Sequence, residues 1–200
     1  FRGLVFERKP IDAVIEDLED PCVVGFSCYV WNTEYNKRLA EQIKERYPDC
    51  LIVFGGHNVP DDTTMLLENA YIDILVHGEG ERVFKDILLS HSGALTLSAV
   101  NNISFRQNHT VVKTPVCPPG PLDDLPSPYL EGYFDDIVRT GPYRYNAIFE
   151  TSRGCPHNCA YCDWGFLNAK TRQFPMDRVL DEIDWMAKNR LNYLLVWMKY

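Results

Sequence analysis

PCVVGFSCYVW, residues 21–31, is the stretch on which the fold turns. Its compact run of valine, cysteine and aromatic residues suits a strand buried on both faces, as in a parallel sheet. Asn32 and Thr33 then offer N-cap side chains to a helix through Tyr47, whose Tyr35, Leu39 and Ile43 share one face. CLIVFGGH (50–57) repeats the strand pattern, ends in Gly-Gly and leads into helical TTMLLENA (63–70). IDILVHGEGE (72–81) is a third strand, passing through a glycine-rich turn into a helix with Val83, Phe84, Ile87 and Leu88 inward. Strands separated by helices predict an α/β, Rossmann-like (flavodoxin-like) parallel sheet covered on both faces. The leading FRGLVFE (1–7) reads as another strand of it.

Beyond this sheet, ISFRQNHTVVK (103–113) reads as two short strands around a polar turn. The proline- and glycine-rich PVCPPGPLDDLPSPYLEG (115–132) follows and marks a boundary, because a new β/α pattern begins after it. NAIFETSRG (146–154) is a strand, and PMDRVLDEIDWMAKN (175–189) a helix with Met176, Val179, Leu180, Ile183 and Met186 on one stripe. LNYLLVWM (191–198) is a further buried strand. The expected organisation is an α/β domain over 1–97, a hairpin and linker over 98–142, and the start of a second domain over 143–200.

The bulk properties exclude several classes. A net charge of −8 argues against a nucleic-acid surface, which is normally basic. No apolar run approaches the roughly 20 residues that span a bilayer. Four of the seven cysteines, Cys22, Cys28, Cys50 and Cys117, are scattered without ligand spacing, which suits a reducing, cytoplasmic protein. The chain opens on Phe1, so an upstream segment is expected.

The other three cysteines, Cys155, Cys159 and Cys162, lie in TSRGCPHNCAYCDWG (151–165) with spacing C-x3-C-x2-C. A disulfide would leave one thiol over. Structural zinc wants a closed tetrahedral set; His157 lies inside the loop, so a Cys3His site is conceivable, but no second C-x2-C pair exists. A [4Fe-4S] cube needs four ligands, normally thiolates, so three protein thiolates leave one iron open for an exogenous ligand, as a catalytic cluster requires. The spacing, with a strand before it and a helix after it, favours the cluster.

The string ETSRGCPHNCAYC, with an aromatic just before the last cysteine, resembles the radical S-adenosylmethionine (SAM) superfamily. The resemblance implies that Cys155, Cys159 and Cys162 hold a [4Fe-4S] cluster at the first strand of a partial TIM barrel. SAM then chelates the fourth iron, with Tyr161 near its adenine, and is cleaved to a 5′-deoxyadenosyl radical.

The strand tips carry a second likeness. Ser27-Cys28-Tyr29 stands where the cobalamin-binding domain has S-x-L, and Gly55-Gly56 follows where that domain has Gly-Gly. The strings GFSCYVWN, VFGGH and VHGEGE are similar to the cobalamin domains that precede radical SAM barrels. By that resemblance Ser27, Tyr29, Gly55, Gly56, Gly78, Glu79 and Gly80 contact cobalamin. The D-x-H-x-x-G motif that supplies an axial histidine is absent, and His57 reads as a solvent-facing loop residue.

Together these likenesses imply a cobalamin-dependent radical SAM enzyme, most often a methyltransferase acting on an unreactive carbon of a small molecule. An electron donor such as flavodoxin or ferredoxin is implied as partner, with no membrane and no nucleic acid. Two alternatives stand beside it. A radical SAM methylthiotransferase would hold a second cluster on three further cysteines, for which Cys22, Cys28 and Cys50 offer themselves. The other is a non-catalytic cofactor- or metal-binding fragment, since the chain stops soon after the barrel begins.

Overall fold

The computed structural model describes residues 5, 7–108, 110–157, 159–162 and 170–191. They divide into two units, Phe1–Pro119 and Gly120–Tyr200. In the first, helix α1 (Ile11–Glu16) precedes an alternation of strands and helices. These are β1 (Val23–Ser27), α2 (Thr33–Arg46), β2 (Leu51–Gly55), α3 (Thr64–Glu68), β3 (Ile74–Val76) and α4 (Gly80–His91). A 3-10 turn at Leu97–Ala99 leads to a hairpin of β4 (Ile103–Gln107) and β5 (Thr110–Lys113).

The five strands form one sheet in the order β1-β2-β3-β4-β5. The first three run parallel, whereas β4 and β5 are antiparallel. The sheet is therefore mixed, and the hairpin that the sequence placed with the linker extends it along β3. Alternate residues face opposite layers. Phe26, Ile52, Phe54 and Leu75 pack with Val14, Leu39, Ile43 and Leu66, while Val53, Ile74 and Val76 pack with Val83 and Ile87. Burial on both faces is why β1 and β2 read as continuous apolar runs. Leu88, expected inward on α4, is exposed instead. Apart from Val5 and Glu7, the strand expected over 1–7 lies outside the described residues.

Two polar anchors fix the sheet. Asp73 accepts the Ile52 amide at 2.7 Å and the Lys44 ammonium at 2.9 Å, and Lys44 also donates to the Cys50 carbonyl at 2.8 Å. Arg106 on β4 donates to the carbonyls of Leu66, Asn69 and Ile72, gathering acceptors from α3 and the turn before β3. Arg106→Met should keep the packing of the stem and strand these carbonyls. A loss of about 2–3 kcal/mol in urea unfolding, with an unchanged slope, is expected.

The second unit contains α5 (Asp135–Thr140), the paired two-residue strands β6 (Ser152–Arg153) and β7 (Arg172–Gln173), and α6 (Met176–Lys188). The strand expected over 146–154 is thus reduced to Ser152–Arg153 among the described residues. Leu122, Leu125, Phe174 and Val179 form its core. On α6 the buried positions are Val179, Glu182, Trp185 and Met186, and Met176 and Leu180 face solvent, contrary to the expected stripe. Glu182 is tolerated inside because Arg178 bonds it at 3.0 Å, and the Trp185 indole donates to Asp135 at 2.8 Å. The strand expected over 191–198 lies, after Leu191, outside the described residues.

Candidate cofactor site

The parallel register sets Ser27 level with Gly55, so the carboxyl ends of β1 and β2 finish together. Ligands of doubly wound sheets bind at this edge. The chain then departs from β1 through a tip held by asparagines. Asn32 accepts the Tyr29 amide at 2.7 Å and donates to the Ser27 carbonyl at 2.9 Å, and Asn36 donates to the same carbonyl at 3.2 Å. Asn32 occupies the N-cap position of α2, yet its side chain makes no cap bond; it serves the strand tip instead. Asn58, after β2, donates to Thr33 at 2.9 Å and its amide bonds the Cys28 carbonyl at 3.0 Å, tying the two tips together. The sequence reading takes Asn32 as a helix cap, which its side chain is not, and passes over Asn36 and Asn58. The signal available was N-T-x-x-N after a strand, which reads equally well as an ordinary helix start.

Gly56 is where the two tips touch. Its φ is +103°, and a Cβ there would lie 2.7 Å from the Cys28 carbonyl oxygen. Gly55 has no such constraint, since a Cβ would meet Val76 at an ordinary 3.5 Å. Gly78 also has a positive φ, +78°, and neither it nor Gly80 has any atom within 4 Å of a built Cβ. Room therefore stands over the glycine turn, where Glu79 occupies the N-cap position of α4. After β1, Tyr29 and Trp31 stack at 4.7 Å and 4° between planes, and Trp31 is 71% exposed. The His57 ring lies 5.8 Å from that of Tyr29. The Ser27 side chain is exposed, and its hydroxyl has no partner among the described residues. Cys28, between these groups, is fully buried and takes an Asn36 amide at 3.6 Å. Burial pushes its thiol up to about 11, which makes it a core residue.

The strand tips thus present two glycines around Glu79, a stacked aromatic pair and an exposed Ser27. The sequence missed Trp31, whose stack on Tyr29 only the tip geometry reveals.

In the second unit, Gly154 has φ +92° just before Cys155, as a tight turn requires, and the Cys162 amide bonds the Cys159 carbonyl at 3.1 Å. Cys159 and Cys162 are exposed, Cys155 is half-buried, and Tyr161 is 93% exposed. Among the described residues the three thiols are not gathered into a ligand group. Their chemistry nonetheless suits iron, because three soft thiolates on one short loop match a cluster with an open corner. Arg153 pairs with Glu150 at 2.8 Å and stacks over Phe174, which fixes the strand entering the loop.

The three cysteines offered for a second cluster are held apart. Cys22 and Cys28 stand at opposite ends of β1, about 20 Å apart at the rise of a strand. Cys50 lies at the Cys22 end, buried, with its thiol pushed up to about 11 mainly by desolvation. That separation removes the ligand set a methylthiotransferase would use. Among the described residues, no helix is long and apolar enough to cross a membrane.

Comparison with known proteins places the chain among relatives. Residues 2–88 match the B12 binding domain family model. Over 98% of its length the chain is 38% identical to the cobalamin-dependent radical SAM methyltransferase TokK of Streptomyces tokunonensis. It is 36% identical, again over 98%, to the 2-(S-pantetheinyl)-carbapenam-3-carboxylate methyltransferase of Streptantibioticus cattleyicolor. The chain spans 30% of the length of each. The cobalamin-dependent S-adenosylmethionine radical enzyme OxsB, solved with aqua-cobalamin, superposes with a TM-score of 0.72 over 90% of this chain and 25% of its own, at 20% identity.

Proposed function

Residues 2–88 belong to the B12 binding domain family, and from that premise we propose that this chain is the cobalamin cradle and cysteine loop of a radical SAM methyltransferase. The observation that carries the reading is the level edge of Ser27 and Gly55, with Gly56 packed on the Cys28 backbone. Cobalamin bound there supplies a transferable methyl group, and a [4Fe-4S] cluster with SAM supplies radical chemistry at an unreactive carbon. The chain's own residues bind and orient. Ser27 offers a hydroxyl to the nucleotide tail, Tyr29 and Trp31 offer a flat apolar face, and the glycine turn lets amide groups approach closely.

In the second unit, the reading assigns Cys155, Cys159 and Cys162 as thiolate ligands and Tyr161 to the adenine, at the start of a barrel over 143–200. The seven free cysteines support a reducing cytoplasm. The expected partners are a small-molecule substrate and an electron donor such as flavodoxin or ferredoxin. The methyltransferase names of two relatives at 38% and 36% identity support methyl transfer over ring formation or rearrangement.

Two titrations test the two halves. Methylcobalamin, added in the dark and followed by absorbance, should bind with one equivalent per chain; no saturable binding would sink the cobalamin reading. Anaerobic reconstitution should give about four iron and four sulfide per chain. Stoichiometric zinc without iron uptake would overturn the cluster.

A further inference from the structure

The buried residues of α2 are Thr33, Asn36, Leu39, Ala40 and Ile43. From Leu39 onward they are apolar and pack in one cluster with Phe26, Ile52 and Phe54. The first turn is polar instead, although Thr33 is only 5% and Asn36 only 8% exposed. A buried polar side chain on such a stripe is the exception, and asparagine is a poorer helix former than leucine. Packing and helix propensity alone favour leucine at position 36.

Both side chains act on the tip of β1. Asn36 donates to the Ser27 carbonyl at 3.2 Å, which Asn32 already reaches at 2.9 Å. The Thr33 hydroxyl donates to the Tyr29 carbonyl at 2.8 Å, where the Asn32 and Thr33 amides already bond at 3.0 Å each. The same hydroxyl accepts the Asn58 side chain, from the loop after β2, at 2.9 Å. Neither carbonyl needs the added donor for its own satisfaction. The added bonds restrain the chain between Ser27 and Asn32 beyond what its local turn requires.

We propose that Thr33 and Asn36 are positioning residues for cobalamin, holding the β1 tip in its receiving shape before the cofactor arrives. The inference rests on the cobalamin reading above. Ser27 and Tyr29, two of the contacts in that reading, are set by the first turn of α2 through their carbonyls. An ordered tip binds at full affinity, whereas a loose one binds in proportion to the fraction correctly shaped. Removing either donor therefore acts on the free protein and leaves the bound complex as it was.

The test uses the 200-residue chain and methylcobalamin in the dark. Asn36→Leu, of the same branched shape, should keep or raise the melting temperature yet lower the affinity about tenfold. The fall should lie in the association rate, with dissociation unchanged. Thr33→Val should weaken binding similarly, and Thr33→Ser, which keeps the hydroxyl, should restore it to within about twofold of wild type. Ile43→Val, further along the same stripe, should lower the melting temperature and leave the affinity alone. Affinity within about twofold of wild type in both Asn36→Leu and Thr33→Val overturns the proposal. So does affinity that follows melting temperature across the variants, or a Thr33→Ser chain that binds no better than Thr33→Val. Without cofactor, hydrogen exchange at the Cys28 and Tyr29 amides should quicken about tenfold in Asn36→Leu; unchanged exchange also overturns it. Failure of wild type to bind would instead strike the cobalamin reading, while the exchange rates still decide whether these side chains hold the tip.

Discussion

Gly56→Ala is expected to cost about 3 kcal/mol of stability and at least about 100-fold in cobalamin affinity. The added methyl meets two penalties together. A φ of +103° is essentially open only to glycine, which costs an alanine about 1–3 kcal/mol. The built Cβ also falls 2.7 Å from the Cys28 oxygen and 2.9 Å from its nitrogen, and backbone cannot swing aside as a side chain would. Relief requires separating the tips of β1 and β2, which breaks the bond from the Cys28 amide to the Gly55 carbonyl at 2.7 Å. Gly55→Ala, one residue earlier, is the control: its Cβ makes an ordinary contact with Val76 and should leave the melting temperature nearly unchanged. Equal effects of the two variants on thermal melting would show that the tip geometry is not what demands glycine.

The contrast between neighbouring glycines also shows where the sequence was informative. GFSCYV and FGG announced two buried strands because β-branched and aromatic residues leave little choice when both faces of a sheet are covered. The dipeptide Gly-Gly marked the end of the second strand, but only packing against Cys28 distinguishes the member whose backbone requires glycine. Asn32 shows a competition that local rules cannot resolve. It sits where a cap is preferred, yet the carbonyl of Ser27, at the end of a strand, has the stronger need for a donor. The hairpin joined the sheet through partners far away in sequence, Arg106 with the end of α3 and Ser104 with His77. No period in residues 103–113 encodes that destination. On α6, periodicity fixed a stripe but not the surface it meets, so Met176 and Leu180 were expected inside while Glu182 and Trp185 took the buried places.

The cysteine loop is read in a different way: the expectation of a cluster rests on spacing alone, and no fold enters it. Its geometry was not legible, and the physical cause leads to the second large effect. Three thiols have no attraction for one another, so the free energy that would gather Cys155, Cys159 and Cys162 comes from metal binding itself. Replacing any one of them with alanine should therefore lower iron after reconstitution from about four per chain to below about one, because two thiolates cannot retain a cube. The same variant should bind methylcobalamin as wild type does, since the strand tips belong to the first unit and the loop to the second. Cys28→Ala and Cys50→Ala reverse the pattern. Each removes a small core side chain and should cost about 1 kcal/mol in stability while leaving iron uptake intact. Iron retained by a Cys155→Ala/Cys159→Ala/Cys162→Ala variant would place the cluster elsewhere. Iron lost from Cys28→Ala without unfolding would revive a second set of ligands. Burial decides between these outcomes in advance: a thiol closed inside the sheet and pushed up to about 11 stays protonated, whereas ligation of iron requires the thiolate.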